Sequence, residues 1–192
     1  MTGQELLELL SRAHRRSHVT GSVGNGIIAA LDLEGRLFAV LNNKVLNRVV
    51  PHAVINRSNK TAYLNPGGDA LWPAPEGTCF GYEYSTPGWR VPPAITGAVW
   101  EVISSSPDST VIRAEIDLVN NLQTGIPCEF ERHIKVEAHR NLLIQNVTEV
   151  IRYIGKKTLS GKEFLLAPWS LCQFDSGANC EVRMEEPGPE DI

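Results

Sequence analysis

The chain is poor in cysteine, has no long hydrophobic run and carries no excess of basic residues, and each lack removes a class of protein. Its four cysteines, Cys79, Cys128, Cys172 and Cys180, show no C-x-x-C spacing, so neither a zinc site nor a disulfide framework is indicated. No apolar run approaches the roughly 20 residues that a membrane helix needs. Lys and Arg number 18 against 22 Asp and Glu, for a net charge of −4, which argues against the basic stripe of a nucleic-acid binder. The one dense basic run, Arg12 to Arg16, closes a short helix, where positive charge complements the helix dipole. The opening MTGQELLELLSRAHRR places Glu5 and Glu8 among its leucines with no basic leader before them. That differs from a secretory signal and leads us to expect a cytoplasmic protein. GSVGNG (residues 21 to 26) is glycine-rich but lacks the G-x-G-x-x-G order of a dinucleotide site. The expectation is no metal, no cofactor, no nucleic acid and no membrane partner.

What is present is enough for one core. A chain of 192 residues with 42% hydrophobic content suits a single domain. Residues 2 to 16 read as an amphipathic helix, with Thr2 and Glu5 at capping-box spacing and Leu6, Leu10 and Ala13 on one face. From about residue 26 the apolar segments shorten and become rich in Val, Ile and aromatics. GIIAALDLEGRLFAVLNN reads as two strands joined at Glu34-Gly35, and KVLNRVV and HAVINR continue the strand series across Pro51. Residues 65 to 94 are too dense in Gly and Pro to be regular throughout.

The strand signal is cleanest in the second half. In TVIRAEIDLV, Ile112, Ala114, Ile116 and Leu118 alternate with Arg113, Glu115 and Asp117. In PCEFERHIKVEA, Phe130, Ile134 and Val136 share a face, with the NNLQTG turn between the two runs. Such a pair is antiparallel, half buried and half wet. LLIQNVTEVIRYI follows as a strand, and KEFLLAPWSLCQF is another, whose Pro168 predicts an edge or a bulge. The predicted fold is all-β with minor α: one antiparallel β-sandwich over 1–192, with a helix in 1–17 and a loose acidic tail in 183–192. A barrel is the alternative.

The segment NPGGDALWPAPEGTCFGYEYSTPGWRVPPAI concentrates Trp72, Tyr82, Tyr84 and Trp89 beside Asp69, Glu76 and Arg90. Aromatic faces with a polar edge suit the C–H patches of sugars, and charged groups suit their hydroxyls. The same aromatics equally suit the closure of one end of a sandwich. Asp69 and Glu76 could also act as an acid/base pair across a cleft. Arg132 shares the face of Phe130 and Ile134, so it either pairs with a buried carboxylate or projects into a ligand cleft.

The strings GGDALWPAPEG, GWRVPPAI and APWSLCQF resemble an uncharacterised bacterial branch of the galactose-mutarotase-like superfamily, over roughly residues 25 to 175. The resemblance implies a large antiparallel β-sandwich that binds sugars. Epimerases of that superfamily carry an Asn-Arg pair and then a His-Gly-Gly turn. Here Asn47-Arg48 and Pro66-Gly67-Gly68 fall in that order, with proline in place of the histidine. The resemblance implies Arg48 as a sugar ligand but not a catalytic turn, and relatives run longer than this chain, which is then either a short form or the first part of a longer domain. The expected site is Arg48, Asp69, Trp72, Glu76, Trp89, Arg90 and Arg132, binding a sugar or oligosaccharide without mutarotase activity. A sugar-active enzyme and a structural or interaction module are the competing readings, and exposed strand edges would allow a homodimer.

Overall fold

The computed structural model describes residues 1–59, 62–76, 91–177, 180–183 and 188. Helix α1 (Gly3–Arg12) opens on the expected capping box: the Thr2 hydroxyl accepts from the Glu5 N–H at 3.1 Å, and the Glu5 carboxylate accepts from the Thr2 N–H at 2.7 Å. It stops four residues short of the expected end. His14 adopts φ +53°, and the Arg15 N–H reaches the Leu10 carbonyl while the His14 N–H reaches that of Ser11. This is a Schellman motif with histidine where glycine is usual.

Two antiparallel sheets follow. The first contains β1 (Ser17–Gly21), β2 (Gly26–Ala30), β3 (Arg36–Leu41), β4 (Lys44–Val45), β5 (Gly68–Ala74) and β10 (Ala167–Gln173), in the order β1-β2-β3-β5-β10 with β4 beside β3. The second runs β6 (Glu101–Ser105), β7 (Ser109–Val119), β8 (Gly125–His139) and β9 (Leu142–Tyr153) in that order. They form a sandwich rather than a barrel. Among the described residues no helix is long and apolar enough to cross a membrane.

The two apolar strands of GIIAALDLEGRLFAVL are buried on both sides. Ile27, Ala29, Leu37 and Ala39 enter the core between the sheets, against Ile112, Ala114, Ile116, Phe130 and Ile134. Ile28, Ala30, Phe38 and Val40 face the other way, against Leu6, Leu9 and Leu10 of α1. A strand covered on both faces loses its alternation and reads as a continuous apolar run. In the second sheet, β7 and β8 keep the predicted alternation, and buried Asn120 closes their turn by accepting from the Leu122 and Thr124 N–H groups.

Two segments depart from the sequence reading. HAVI is helix α2 (Pro51–Ile55), not strand, because Pro51 at the first helical position fixes φ and needs no donor. Inside the Gly- and Pro-rich stretch, β5 is a regular strand placed between β3 and β10. Its approach requires both glycines of Pro66-Gly67-Gly68. A Cβ on Gly67 would sit 1.9 Å from the Arg48 carbonyl oxygen, and one on Gly68 would sit 2.9 Å from the Phe38 ring. Pro168 lies in β10, an end strand, where a missing N–H is tolerated.

One charged side chain ties the sheets together. Arg132 on β8 is 0% exposed, and all five of its N–H donors have acceptors. Nε donates to the Glu149 carboxylate on β9 at 3.1 Å, and Nη2 donates to Glu149 Oε1 at 2.6 Å and to Asp69 Oδ1 at 3.1 Å. Nη1 donates to the carbonyls of Gly35 at 2.9 Å and Asp69 at 2.8 Å, both on the first sheet's side. Asp69 is supported in turn by the Ser170 hydroxyl at 3.3 Å and the Gln145 amide at 3.4 Å.

Arg132→Ala leaves two buried carboxylates without their cation, and we expect it to lose about 3–5 kcal/mol of stability in urea unfolding. Burial raises the Glu149 carboxyl above the usual glutamate range, with Arg132 opposing that rise. A raised folded-state pKa means the folded protein holds this proton where the unfolded chain releases it. The Glu149 contribution to stability therefore falls as pH rises from the ordinary glutamate range through the raised value. Glu149→Gln should flatten that part of the stability–pH curve, measured by unfolding at several pH values.

Candidate functional site

The geometry separates the five described residues of the expected site. Asp69 and Arg132 lie together in the interior, and the donors of Arg132 are all engaged there. Of the two roles open to Arg132, the structure shows the carboxylate pairing. Trp72 is 2% exposed, wedged edge-on between Tyr63 at 6.0 Å and Trp169 at 5.8 Å, with the Arg36 guanidinium 5.7 Å from its ring. That packing leaves no face open to stack on a ligand. Arg48 is exposed; its carbonyl accepts from the Gly68 N–H at 2.9 Å, so the Asn-Arg pair and the Gly-Gly turn do meet, through backbone. Glu76 is half-buried just past the end of β5. Trp89 and Arg90, like Tyr82 and Tyr84, lie outside the described residues.

Asp69 lies near the start of β5, where its carboxylate pairs with Arg132, and Glu76 lies two residues beyond the end of that strand.

A second polar cluster adjoins Trp72. Arg36, 0% exposed, donates to Glu34 Oε2 at 2.8 Å, to the Gly67 carbonyl at 2.6 Å and to the Tyr63 hydroxyl. The same Glu34 oxygen accepts from the Tyr63 hydroxyl at 3.2 Å and lies 3.5 Å from Trp72 Nε1. Burial, with the Glu34 charge beside it, pushes the Tyr63 phenol well above its ordinary range, so it stays a neutral donor.

Every hydrogen bond to Glu34 falls on Oε2; among the described residues Oε1 takes none. Glu34 is 4% exposed and borders a cleft of about 470 Å³. This volume falls in the usual range of small-molecule sites, roughly 300–1,000 Å³. The cleft is built where four segments meet: the end of α1 (His14, Arg15), the β2–β3 turn (Asp32, Glu34), the stretch after α2 (Asn56, Arg57, Ser58), and α3 (Pro93–Thr96) with the residues behind it, up to Val99. None of the described residues of the expected site lines it.

Two of its bordering residues hold left-handed backbone without being glycine. Glu34 has φ +60° and is followed by Gly35 at +62°, with the Arg36 N–H closing on the Leu33 carbonyl at 3.1 Å. Such a turn favours Asn-Gly, and glutamate at its first position is strained. His14 at +53° is the other. The chain pays for both, and both side chains border the same cavity. The sequence holds a faint trace of this in Glu34-Gly35, which marks the turn, but nothing in it joins positions 14, 34, 57 and 97.

Among the described residues no three His, Cys, Asp or Glu side chains converge to hold a metal ion. No family model matches the chain, and no curated protein or solved structure is significantly similar to it.

The strain at His14 is measurable. His14→Gly relieves a left-handed non-glycine residue in a helix-ending motif and should raise stability by about 1 kcal/mol. Denaturant unfolding of the variant checks this, and an unchanged or lower midpoint would remove the strain assignment.

Proposed function

We propose that the chain is a carbohydrate-binding β-sandwich whose sugar site is the cleft between α1, the β2–β3 turn, α2 and α3. The observation that carries this reading is Glu34 Oε1, a carboxylate oxygen unbonded among the described residues, on a residue only 4% exposed at the cleft wall. A sugar hydroxyl is a donor of the right kind for it. Asn56, Ser58 and Thr96 add amide and hydroxyl groups around the same space, and Leu33, Leu64 and Val99 add apolar surface for C–H patches. The resemblance of GGDALWPAPEG and its companion strings to galactose-mutarotase-like proteins supports a sugar as ligand. On this reading the protein acts in the cytoplasm of a bacterium.

The tryptophan of that string plays a different part from the one its composition suggests. Trp72 packs the interior, and the ligand is held by groups at the helical end.

A second reading, a sugar-active enzyme, is favoured by one feature. His14 and Glu34 border the same cleft, and anomer exchange needs one group to take the C1 hydroxyl proton and another to protonate the ring oxygen.

Backbone amide shifts in ¹⁵N-labelled protein, titrated with galactose, glucose and their uronic acids, test the site directly. We expect sugar-induced changes clustered at residues 14–15, 32–34, 56–58 and 96–99. Changes confined to the neighbourhood of Arg48 or Glu76, or none with any sugar, would overturn the assignment. Anomer exchange followed in the same tubes decides between the readings: faster exchange that His14→Ala abolishes selects the enzyme.

A further inference from the structure

We propose that this cleft selects an anionic sugar, one bearing a carboxylate or a phosphate, through Arg15 and Arg57. The inference rests on the cleft being the sugar site and adds the chemical class of the ligand.

The argument is one of charge balance around a single cavity. The carboxylates at the cleft wall already have cations of their own. Asp32 is held by Arg16, with Oδ1 at 2.7 Å from Nη2 and Oδ2 accepting the Arg16 backbone N–H at 2.7 Å. Glu34 is held by Arg36 at 2.8 Å. Among the described residues Arg15 and Arg57 have no such salt bridge. Arg15 donates to two carbonyls, from Nη1 to Asp32 at 3.0 Å and from Nε to Val54 at 3.4 Å. Among the described residues its Nη2 has no acceptor, and Arg57 forms no hydrogen bond or ion pair. Arg16 is shared with Glu101 at 2.9 Å. Counting that carboxylate too, four arginines face three acids among the described residues, an excess of one positive charge, and the two guanidiniums without a salt bridge are those that border the cavity.

The arrangement has an electrostatic cost when the cleft holds only water. Burial lowers the Arg15 pKa below its ordinary value and the neighbouring Arg57 charge lowers it further, with the Asp32 and Glu34 charges opposing that fall. Two like charges converging on one space, with donors left over, are matched by an anion that accepts from both. Glu34 Oε1 is then the acceptor for a hydroxyl elsewhere on the same ligand, so one molecule with an acidic group and a hydroxylated ring satisfies both sides of the cleft.

Calorimetric titration compares galacturonate, glucose 6-phosphate, galactose and inorganic phosphate on the wild-type chain and on Arg57→Gln, a substitution of an exposed side chain that should not disturb folding. The acidic sugars should bind about tenfold or more tighter than galactose, the worth of one charge-assisted hydrogen bond. That preference should shrink in Arg57→Gln. It should also weaken as salt rises from about 0.01 M to about 1 M, which shortens the Debye length from roughly 30 Å to 3 Å. Galacturonate and glucose 6-phosphate, compared with each other, separate a carboxylate from a phosphate specificity. Equal affinity for galactose and galacturonate overturns the anion inference and leaves the sugar reading standing. Inorganic phosphate binding with no sugar binding leaves the anion site and overturns the sugar reading. No binding of any of the four overturns both.

Discussion

A buried guanidinium, that of Arg132, is the constraint from which the rest of this structure follows. Strand alternation on β8 points it into the space between the sheets, where an uncompensated charge would cost several kcal/mol. Its compensation draws in parts from distant segments: Asp69 from β5, Glu149 from β9 and the Gly35 carbonyl from the β2–β3 turn. Fixing Gly35 fixes its neighbour. Glu34 is held in left-handed backbone with one oxygen turned to Arg36, and the residue borders the cleft. The interior ion network and the cleft wall are therefore one continuous piece of chemistry, joined by two adjacent residues of a turn.

This linkage explains which parts of the molecule could be read from the residues. The alternation of Ile112, Ala114, Ile116 and Leu118 against charged neighbours encodes a half-buried strand locally, and β7 forms there. Thr2 with Glu5, and Pro168 in an end strand, are also local signals whose physics needs no distant partner. PHAVI was not legible as helix because its five residues span little more than one turn, too few to repeat an apolar face, and only the proline at its start favours the observed form. β5 was hidden by the glycines and prolines around it, although those glycines serve the close approach of Arg48 and Phe38.

The candidate site was legible only in its ingredients. Composition identified Trp72, Asp69 and Arg132 as residues out of the ordinary, and they are, but as interior pieces of two arginine networks. Composition cannot distinguish a ring that stacks on a ligand from one that packs beside a buried cation. That depends on whether the strand bearing it is central or exposed, and β5 has a neighbour on each side. The cleft itself collects side chains from positions as far apart as 14 and 99, each unexceptional alone. Its signature is physical: a buried glutamate with one oxygen unbonded among the described residues, two strained residues and two guanidiniums without a salt bridge there.

The account depends on Arg132 acting as a cross-sheet tie through its charges and not merely through its bulk. A double-mutant cycle between Arg132→Met and Glu149→Gln, read by equilibrium unfolding, measures that directly. The account predicts a coupling energy well above about 1 kcal/mol, toward the upper end of the range for residues sharing one buried network. Additive losses, with a coupling indistinguishable from zero, would contradict it.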